Sequence, residues 1–316
     1  MRQEFRVEQF EDFIGQHKIT STLKVMISSA KHQSRPIDHI LFYGPPGLGK
    51  TSLAKIIAKQ SDKNIIYVQG PMIEKKSDIL TIFSSIQDNT IIFIDEIHGI
   101  NKNVEELLYS AMEDNVIDVV LGVDGDKKIM RMKLKNFSLI GATTKFNLLS
   151  KPLKDRFGYI GKLINYTDEE IAEIIKKSAA RNDIEIDEEA IYNIATHSRQ
   201  TPRIANNLLK RVNDFAIHSN QKMIDKNIVK RSFEYLDIYP YGLYYPQVEY
   251  LKTLHTVFNK KFASLDAISS IIKDDKGSIL NEIEPLLLIY KLIEKSPRGR
   301  RITQAGIDYL VSSKLI

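Results

Sequence analysis

The sequence predicts an α/β protein, with a P-loop domain built on a parallel sheet, then a small all-helical region, then a C-terminal unit of short helices. Three observations carry this expectation. The run Gly44-Pro45-Pro46-Gly47-Leu48-Gly49-Lys50-Thr51 meets the spacing GxxxxGK[ST] between an apolar stretch, 40–43, and a helix-favouring stretch, 52–59. From residue 37 to about 165, short β-branched runs alternate with helical periodicity. From Thr167 to about Leu236 the strand signals fade and amphipathic helices take over.

The first element is a helix expected over 18–31, and the sheet follows as strands at 40–43, 65–68, 91–95 and 137–142. Their near-continuous apolar character suits central strands covered on both faces. Between residues 116 and 134 the pattern changes to two alternating arms around Asp124-Gly125-Asp126-Lys127, which predicts an inserted β-hairpin. Its second arm puts Met130, Met132 and Leu134 on one face and Ile129, Arg131 and Lys133 on the other, so the methionines face either the parent domain or a partner. Thr167-Asp168-Glu169-Glu170 reads as an N-cap followed by first-turn acids. The Pro-, Gly- and Tyr-rich segment 238–246 marks a second boundary. The domains expected are therefore 1–166, 167–238 and 239–316.

Composition narrows the function. With 43% hydrophobic and 27% charged residues the 316-residue chain is ordinary globular material. The lack of cysteine excludes disulfides, Cys-ligated zinc and thiol catalysis. No apolar run approaches bilayer length and Met1-Arg2-Gln3-Glu4 begins no signal peptide, so a cytoplasmic protein with no membrane association is expected. The net charge of +5 leans weakly toward a polyanionic partner.

The P-loop implies a nucleoside triphosphate. Gly44, Gly47 and Gly49 let backbone N–H groups face phosphate oxygens, Lys50 reaches the β and γ phosphates as the cation of the nest, and Thr51 offers its hydroxyl to Mg2+. The apolar run 91–94 delivers Asp95-Glu96 to the C-terminal edge of the sheet, where open α/β sheets bind ligands. Asp95 suits Mg2+, and Glu96 suits polarising the water that attacks the γ phosphate. His98 reads as structural or coupling. The pair Thr143-Thr144 ends the last strand and serves equally well as a cap or as a water-orienting group. Arg156, in Asp155-Arg156-Phe157-Gly158, and Arg203, in Thr201-Pro202-Arg203, could neutralise charge in a phosphoryl transfer, although their positions alone suit ordinary surface arginines better. Residues 291–301 set Lys291, Lys295, Arg298, Arg300 and Arg301 against Glu294 alone, around a Gly-bearing turn of the kind that touches DNA backbone.

The P-loop, Asp95-Glu96-Ile97-His98, Gly141-Ala142-Thr143-Thr144, Asp155 to Gly158 and Thr201-Pro202-Arg203, in this order, resemble the AAA+ ATPases. With Val104 to Tyr109, Ala111-Met112-Glu113-Asp114 and Pro297-Arg298-Gly299-Arg300 added, nearly the whole chain is similar to the RuvB family, bacterial Holliday-junction branch-migration motors. The resemblance implies an AAA+ sheet domain, a helical lid and a C-terminal winged helix. It implies an ATP-driven homohexamer that moves double-stranded DNA at Holliday junctions together with RuvA, and through that complex with a resolvase such as RuvC, in recombination and repair. It places Gly47, Leu48, Gly49, Lys50, Thr51 and Ser52 on nucleotide and Mg2+ contacts, Asp95 and Glu96 on Walker B and Thr144 on sensor 1. Arg156 falls on an arginine finger that serves a neighbouring subunit, and Arg203 on sensor 2. Phe5, Arg6, Tyr166, Glu113, Asp114 and Asn115 fall on further nucleotide contacts, and Lys295, Arg298, Arg300 and Arg301 on the DNA-binding wing. The hairpin becomes the RuvA-docking element, with Met130 and Met132 as apolar contacts. The chain departs from the family pattern at Val7, Gly99 and Asn115. The alternatives are a clamp-loader or initiator AAA+ ATPase, which would lack the Pro297–Arg300 wing, and a nucleotide-switched DNA-binding regulator, in which Glu96 would be dispensable.

Overall fold

The computed structural model describes residues 7–88, 90–121 and 128–316. They form two compact units, one running to residue 182 and including 201–203, the other comprising 183–200 and 204–316. Among the described residues, no helix is long and apolar enough to cross a membrane.

The first unit runs α1 (His17–His32), β1 (Ile40–Tyr43), α2 (Lys50–Gln60), β2 (Ile65–Gln69), α3 (Lys76–Ser84), β3 (Thr90–Asp95), α4 (Lys102–Asp114), β4 (Val116–Leu121), β5 (Lys128–Lys133), β6 (Phe137–Thr143), α5 (Lys151–Lys154), β7 (Tyr159–Lys162) and α6 (Asp168–Arg181). Five strands form one parallel sheet in the order β2-β3-β6-β1-β7. All of β6 is buried, as are Thr90 to Ile94 of β3, because helices cover both faces and leave no polar side. Leu41, Ile92, Ile94 and Leu139 pack with Ile79 and Phe83 of α3 and Val104, Leu108 and Met112 of α4. Each such side chain contributes about 1.5–3 kcal/mol on burial.

The fifth strand, β7, goes beyond the four strands expected. Its four residues include Gly161 and alternate in exposure, so the sequence offers no apolar run. It forms because β1 templates it in parallel register, Phe42 opposite Gly161. The hairpin is as expected in its arms, β4 pairing antiparallel with β5 and Ile117 facing Met132. Its expected turn, 124–127, lies outside the described residues, as do Phe5 and Arg6. Asn115, the family departure, ends α4 in the left-handed conformation (φ 53°), which asparagine tolerates better than most side chains. Its carbonyl accepts from the Leu134 N–H at 2.8 Å, closing the base of the hairpin.

The second unit contains β8 (Glu185–Ile186), α7 (Glu188–Thr196), most of α8 (Pro202–His218), β9 (Met223–Ile224), α9 (Lys226–Tyr235), α10 (Tyr245–Thr256), α11 (Leu265–Ile272), α12 (Lys276–Ser278), α13 (Glu284–Ile289), β10 (Ile293–Ser296), β11 (Gly299–Ile302) and α14 (Gln304–Ser312). A π turn, Ile279–Ile283, joins α12 to α13. The parallel pair β8-β9 corrects the expectation of a strand-free region, since two-residue strands leave no periodic trace. The antiparallel pair β10-β11 is fixed at its base by Ala263, whose N–H and carbonyl exchange hydrogen bonds with Arg300 at 2.8 and 2.9 Å. That approach requires Gly299 (φ 125°), where a Cβ would lie 2.1 Å from the Ala263 oxygen. Tyr250, Leu254, Ile268, Ile283, Leu287, Ile302 and Leu310 fill the core beneath.

Candidate functional site

The strand order puts β6 between β1 and β3, so the loops leaving all three strands meet at one edge of the sheet. Gly44 leaves β1 at φ 142°, and a Cβ there would lie 2.5 Å from the Leu163 carbonyl, so only glycine lets the loop start. Lys50 then opens α2, whose N-terminus aims its dipole and free N–H groups at the loop. Lys50 is 7% exposed, and its ammonium donates to the carbonyls of Gly44 and Pro45 at 2.8 and 2.9 Å. Burial pushes its pKa down, while the nearby Glu96 and Asp95 carboxylates oppose that shift and the Arg203 guanidinium reinforces it. Lys50 is thus not the sole cation acting on the nest: Arg203, 153 positions downstream by number (203 − 50), sits within its field. The Arg203 N–H reaches the Gly47 carbonyl at 3.4 Å, and a Cβ on Gly47 would lie 3.0 Å from the Arg203 Cβ.

Thr51 and Ser52 follow on the first turn of α2, each partly exposed. Leu48 is fully buried, and its carbonyl accepts from the Tyr166 hydroxyl at 3.0 Å. Tyr166, expected as a nucleotide contact, is 3% exposed and has its phenol pKa pushed up by burial. In the structure its hydroxyl braces the loop's backbone at Leu48 and also bonds to Gln16.

The acid pair sits at the end of β3. Glu96 adopts φ 47°, a left-handed conformation costing about 1–3 kcal/mol for a non-glycine residue. The surroundings hold it there. Its N–H donates to Asp95 Oδ1 at 3.1 Å, and its Oε2 accepts from the Thr144 N–H and Oγ1, both at 3.0 Å. His98 Nδ1 lies 3.1 Å from the same Oε2 and 2.9 Å from Thr143 Oγ1. Among the described residues Glu96 Oε1 accepts only from the Thr144 hydroxyl, at 3.1 Å, which leaves it the oxygen better able to accept a proton from water. Thr143 is fully buried and also accepts from the Lys145 N–H, so the two threonines split the roles the sequence left open, one capping the turn and the other gripping the acid.

Thr51 and Asp95 supply hard oxygen donors, which fit Mg2+ because that ion takes one or two protein oxygens beside phosphate and water. Among the described residues no group of three or more His, Asp or Glu side chains could hold a metal by itself.

Arg156 lies just past α5. Its Nε donates to the Tyr109 carbonyl at 3.2 Å, Nη1 to the Pro152 carbonyl at 2.9 Å and Nη2 to Glu113 Oε2 at 2.8 Å. Within one protomer, Glu113 is therefore the partner of the arginine, although it was expected at the nucleotide. Asp114 is exposed, and Asn115 serves as the helix end described above.

On the hairpin, Met130 is 50% exposed, whereas Met132 is partly buried against the core that holds Ile117 and Leu134. The two methionines expected to share a contact face thus part company: Met132 packs largely on the parent domain and Met130 faces outward.

In the wing, one of the arginines expected at DNA points inward. Arg300 is 8% exposed and pairs through Nε with Glu284, itself 1% exposed, which also accepts from the Tyr250 hydroxyl at 2.8 Å. Burial of Tyr250 and its bond to that carboxylate push the phenol pKa up. The Arg300 Nε is thus committed to a buried carboxylate instead of being held open to solvent. Lys295, opposite Arg300 on β10, leans toward the same Glu284 at 3.5 Å. Arg301 is exposed, pairs with Glu294 and lies 4.8 Å above the Phe262 ring. Arg298 stands exposed at the turn with no acidic partner among the described residues. Glu284 and Tyr250 were missed by motif reading; the available signal was an acid entering the apolar run Pro285-Leu286-Leu287-Leu288. Replacing Arg298 with Ala should therefore reduce the slope of log affinity against log salt by about one, as loss of one phosphate contact does. Arg300→Ala should instead strand a buried carboxylate and cost about 3–5 kcal/mol of stability in denaturant unfolding.

Family models cover almost the entire chain: the Holliday junction DNA helicase RuvB P-loop domain over 5–163, the RuvB AAA lid domain over 166–239 and the RuvB C-terminal winged helix domain over 240–311. The chain belongs to the RuvB family of Holliday junction branch-migration motors. The family's Mesomycoplasma hyopneumoniae member, a Holliday junction branch migration complex subunit, is 53% identical over 311 residues, covering 98% of each chain. A Campylobacter hominis member is 41% identical, covering 98% of this chain and 92% of its own. The solved structure of the Thermotoga maritima RuvB Holliday junction branch migration motor is 38% identical with a TM-score of 0.80, covering 97% of this chain and 98% of its own. Family membership makes this chain an ATPase whose P-loop binds ATP and whose last part is a winged helix. It also sets aside the clamp-loader and initiator alternatives.

Proposed function

We propose that this chain hydrolyses Mg-ATP at the edge of the β1-β6-β3 strands and couples turnover to duplex translocation in a closed ring of identical protomers, six in number. The carrying observation is Glu96, held in a strained backbone by Thr144 with Oε1 its less hydrogen-bonded oxygen, beside Lys50 and Arg203. Lys50, Arg203 and the N-terminus of α2 bind the triphosphate, Thr51 and Asp95 hold Mg2+, and Glu96 orients and deprotonates the attacking water. Held by Thr51 and Asp95, the metal would supply charge neutralisation. Gly47, Leu48, Gly49 and Ser52 shape the cradle, and Arg156 acts on the nucleotide of the neighbouring protomer. An arginine used in trans implies a heterologous interface that closes into a ring.

The division of labour follows 1–166 for ATP chemistry, 167–238 for the lid and 239–316 for DNA. Arg298 and Arg301, with Lys295 behind them, meet the phosphate backbone without reading sequence. RuvA holds the junction and docks on the hairpin through Met130, and a resolvase such as RuvC joins through that complex in the bacterial cytoplasm. The decisive experiment is ATP-dependent dissociation of a synthetic four-way junction with and without RuvA; no dissociation and no phosphate release under either condition defeats the proposal. Met130→Asp should weaken RuvA binding by about tenfold or more, as a charge in the centre of an apolar contact does, read by titration calorimetry.

A further inference from the structure

Glu105 lies in the first turn of α4 and is 5% exposed. A buried carboxylate is costly unless hydrogen-bonded, and this one is bonded twice. It accepts from the Tyr109 hydroxyl at 2.7 Å, one helical turn on, and from the Ser150 hydroxyl. The two hydroxyls lie 2.9 Å apart, which closes a three-membered network. Both of its arms lead to Arg156. Ser150 N-caps α5, accepting from the Leu153 N–H at 3.2 Å, and that helix sets where the chain stands when it reaches Arg156. The Tyr109 ring lies under the guanidinium at 4.8 Å, and the Tyr109 carbonyl takes the Nε proton.

We infer that Tyr109, fixed by Glu105, is a positioning residue for Arg156, presetting the arginine before a neighbouring protomer presents its nucleotide; the inference rests on the trans role proposed above. An arginine free in solvent has many rotamers to lose on engaging a phosphate. Here the planar head is stacked on one face and hydrogen-bonded at its Nε and Nη1 edges to two backbone carbonyls, Tyr109 and Pro152, which cannot swing away. Only the third contact, to the largely exposed Glu113, is to a side chain that can give way to an incoming phosphate. The network thus confines Arg156 in two dimensions and leaves one edge exchangeable.

The test mixes variant and wild-type full-length protein at fixed total concentration with DNA and reads ATPase kcat and KM. Arg156→Ala is the benchmark and should poison turnover more than in proportion to its fraction. Tyr109→Ala should bend the mixing curve the same way, lowering kcat about tenfold or more with KM for ATP within about twofold, because misplacing a catalytic group costs rate while each protomer's own nucleotide site is intact. Tyr109→Phe, which keeps the ring but releases Glu105, should fall between. If Arg156→Ala poisons the mixture while Tyr109→Ala gives wild-type kcat or a strictly linear loss, the positioning role is wrong. If Arg156→Ala itself is linear, the trans reading fails and carries this inference with it. Should Tyr109→Ala not fold, Tyr109→Phe and Ser150→Ala read the same split, and wild-type kcat in both overturns the role.

Discussion

Lys50→Ala should reduce ATP hydrolysis by about a thousandfold or more and should remove measurable nucleotide affinity. The ammonium is the cation placed within the nest, and one unit charge about 4 Å from another at an effective dielectric near 20 is worth about 4 kcal/mol, close to a thousandfold. Its present partners, the Gly44 and Pro45 carbonyls, show that the loop closes around the lysine head. Removing the head leaves those two acceptors without their donor as well as removing the charge. Arg203 remains after the substitution, and it is the reason to measure affinity as well as rate. A filter-binding curve for Lys50→Ala that overlays wild type would show that the triphosphate is held elsewhere.

Glu96→Gln should separate binding from chemistry. The amide oxygen can still accept from the Thr144 N–H, so the strained turn at φ 47° survives and ATP binds. The base is gone, and turnover should fall about 100- to 10,000-fold, the usual worth of general base catalysis. Rings should consequently accumulate on DNA in the ATP-bound form, visible as a slow-dissociating complex by native electrophoresis. A variant that hydrolyses ATP within a few-fold of wild type would move the base to another group.

Much of this was legible in the chain. β1, β3 and β6 are near-continuous apolar runs because both of their faces are covered, and the P-loop spacing is tied to phosphate geometry, so both announce themselves locally. β7 could not, because a four-residue edge strand containing Gly161 depends on β1 for its existence. The acids were legible as a pair, but the grip on Glu96 came from Thr144 and His98, whose significance is visible only once β6 lies beside β3. The wing misled for the opposite reason. A run of positive charges looks uniform in sequence, yet β-strand alternation sends Arg300 inward to Glu284 and leaves Arg301 outside. Charge counting cannot see that alternation until the register is fixed at Ala263 and Gly299.

The placement of β6 has a mechanical corollary. Its backbone is bonded to β1 on one side and β3 on the other, so the P-loop, the acid pair and the threonine that grips Glu96 share one stiff plank. Sliding of these strands past each other would break both ladders, so in the function proposed here loss of the terminal phosphate is not relayed that way. The news has to leave through side-chain torsions at the plank's rim, where a relaxed Glu96 or a released Arg203 changes what the neighbouring helix can lean on.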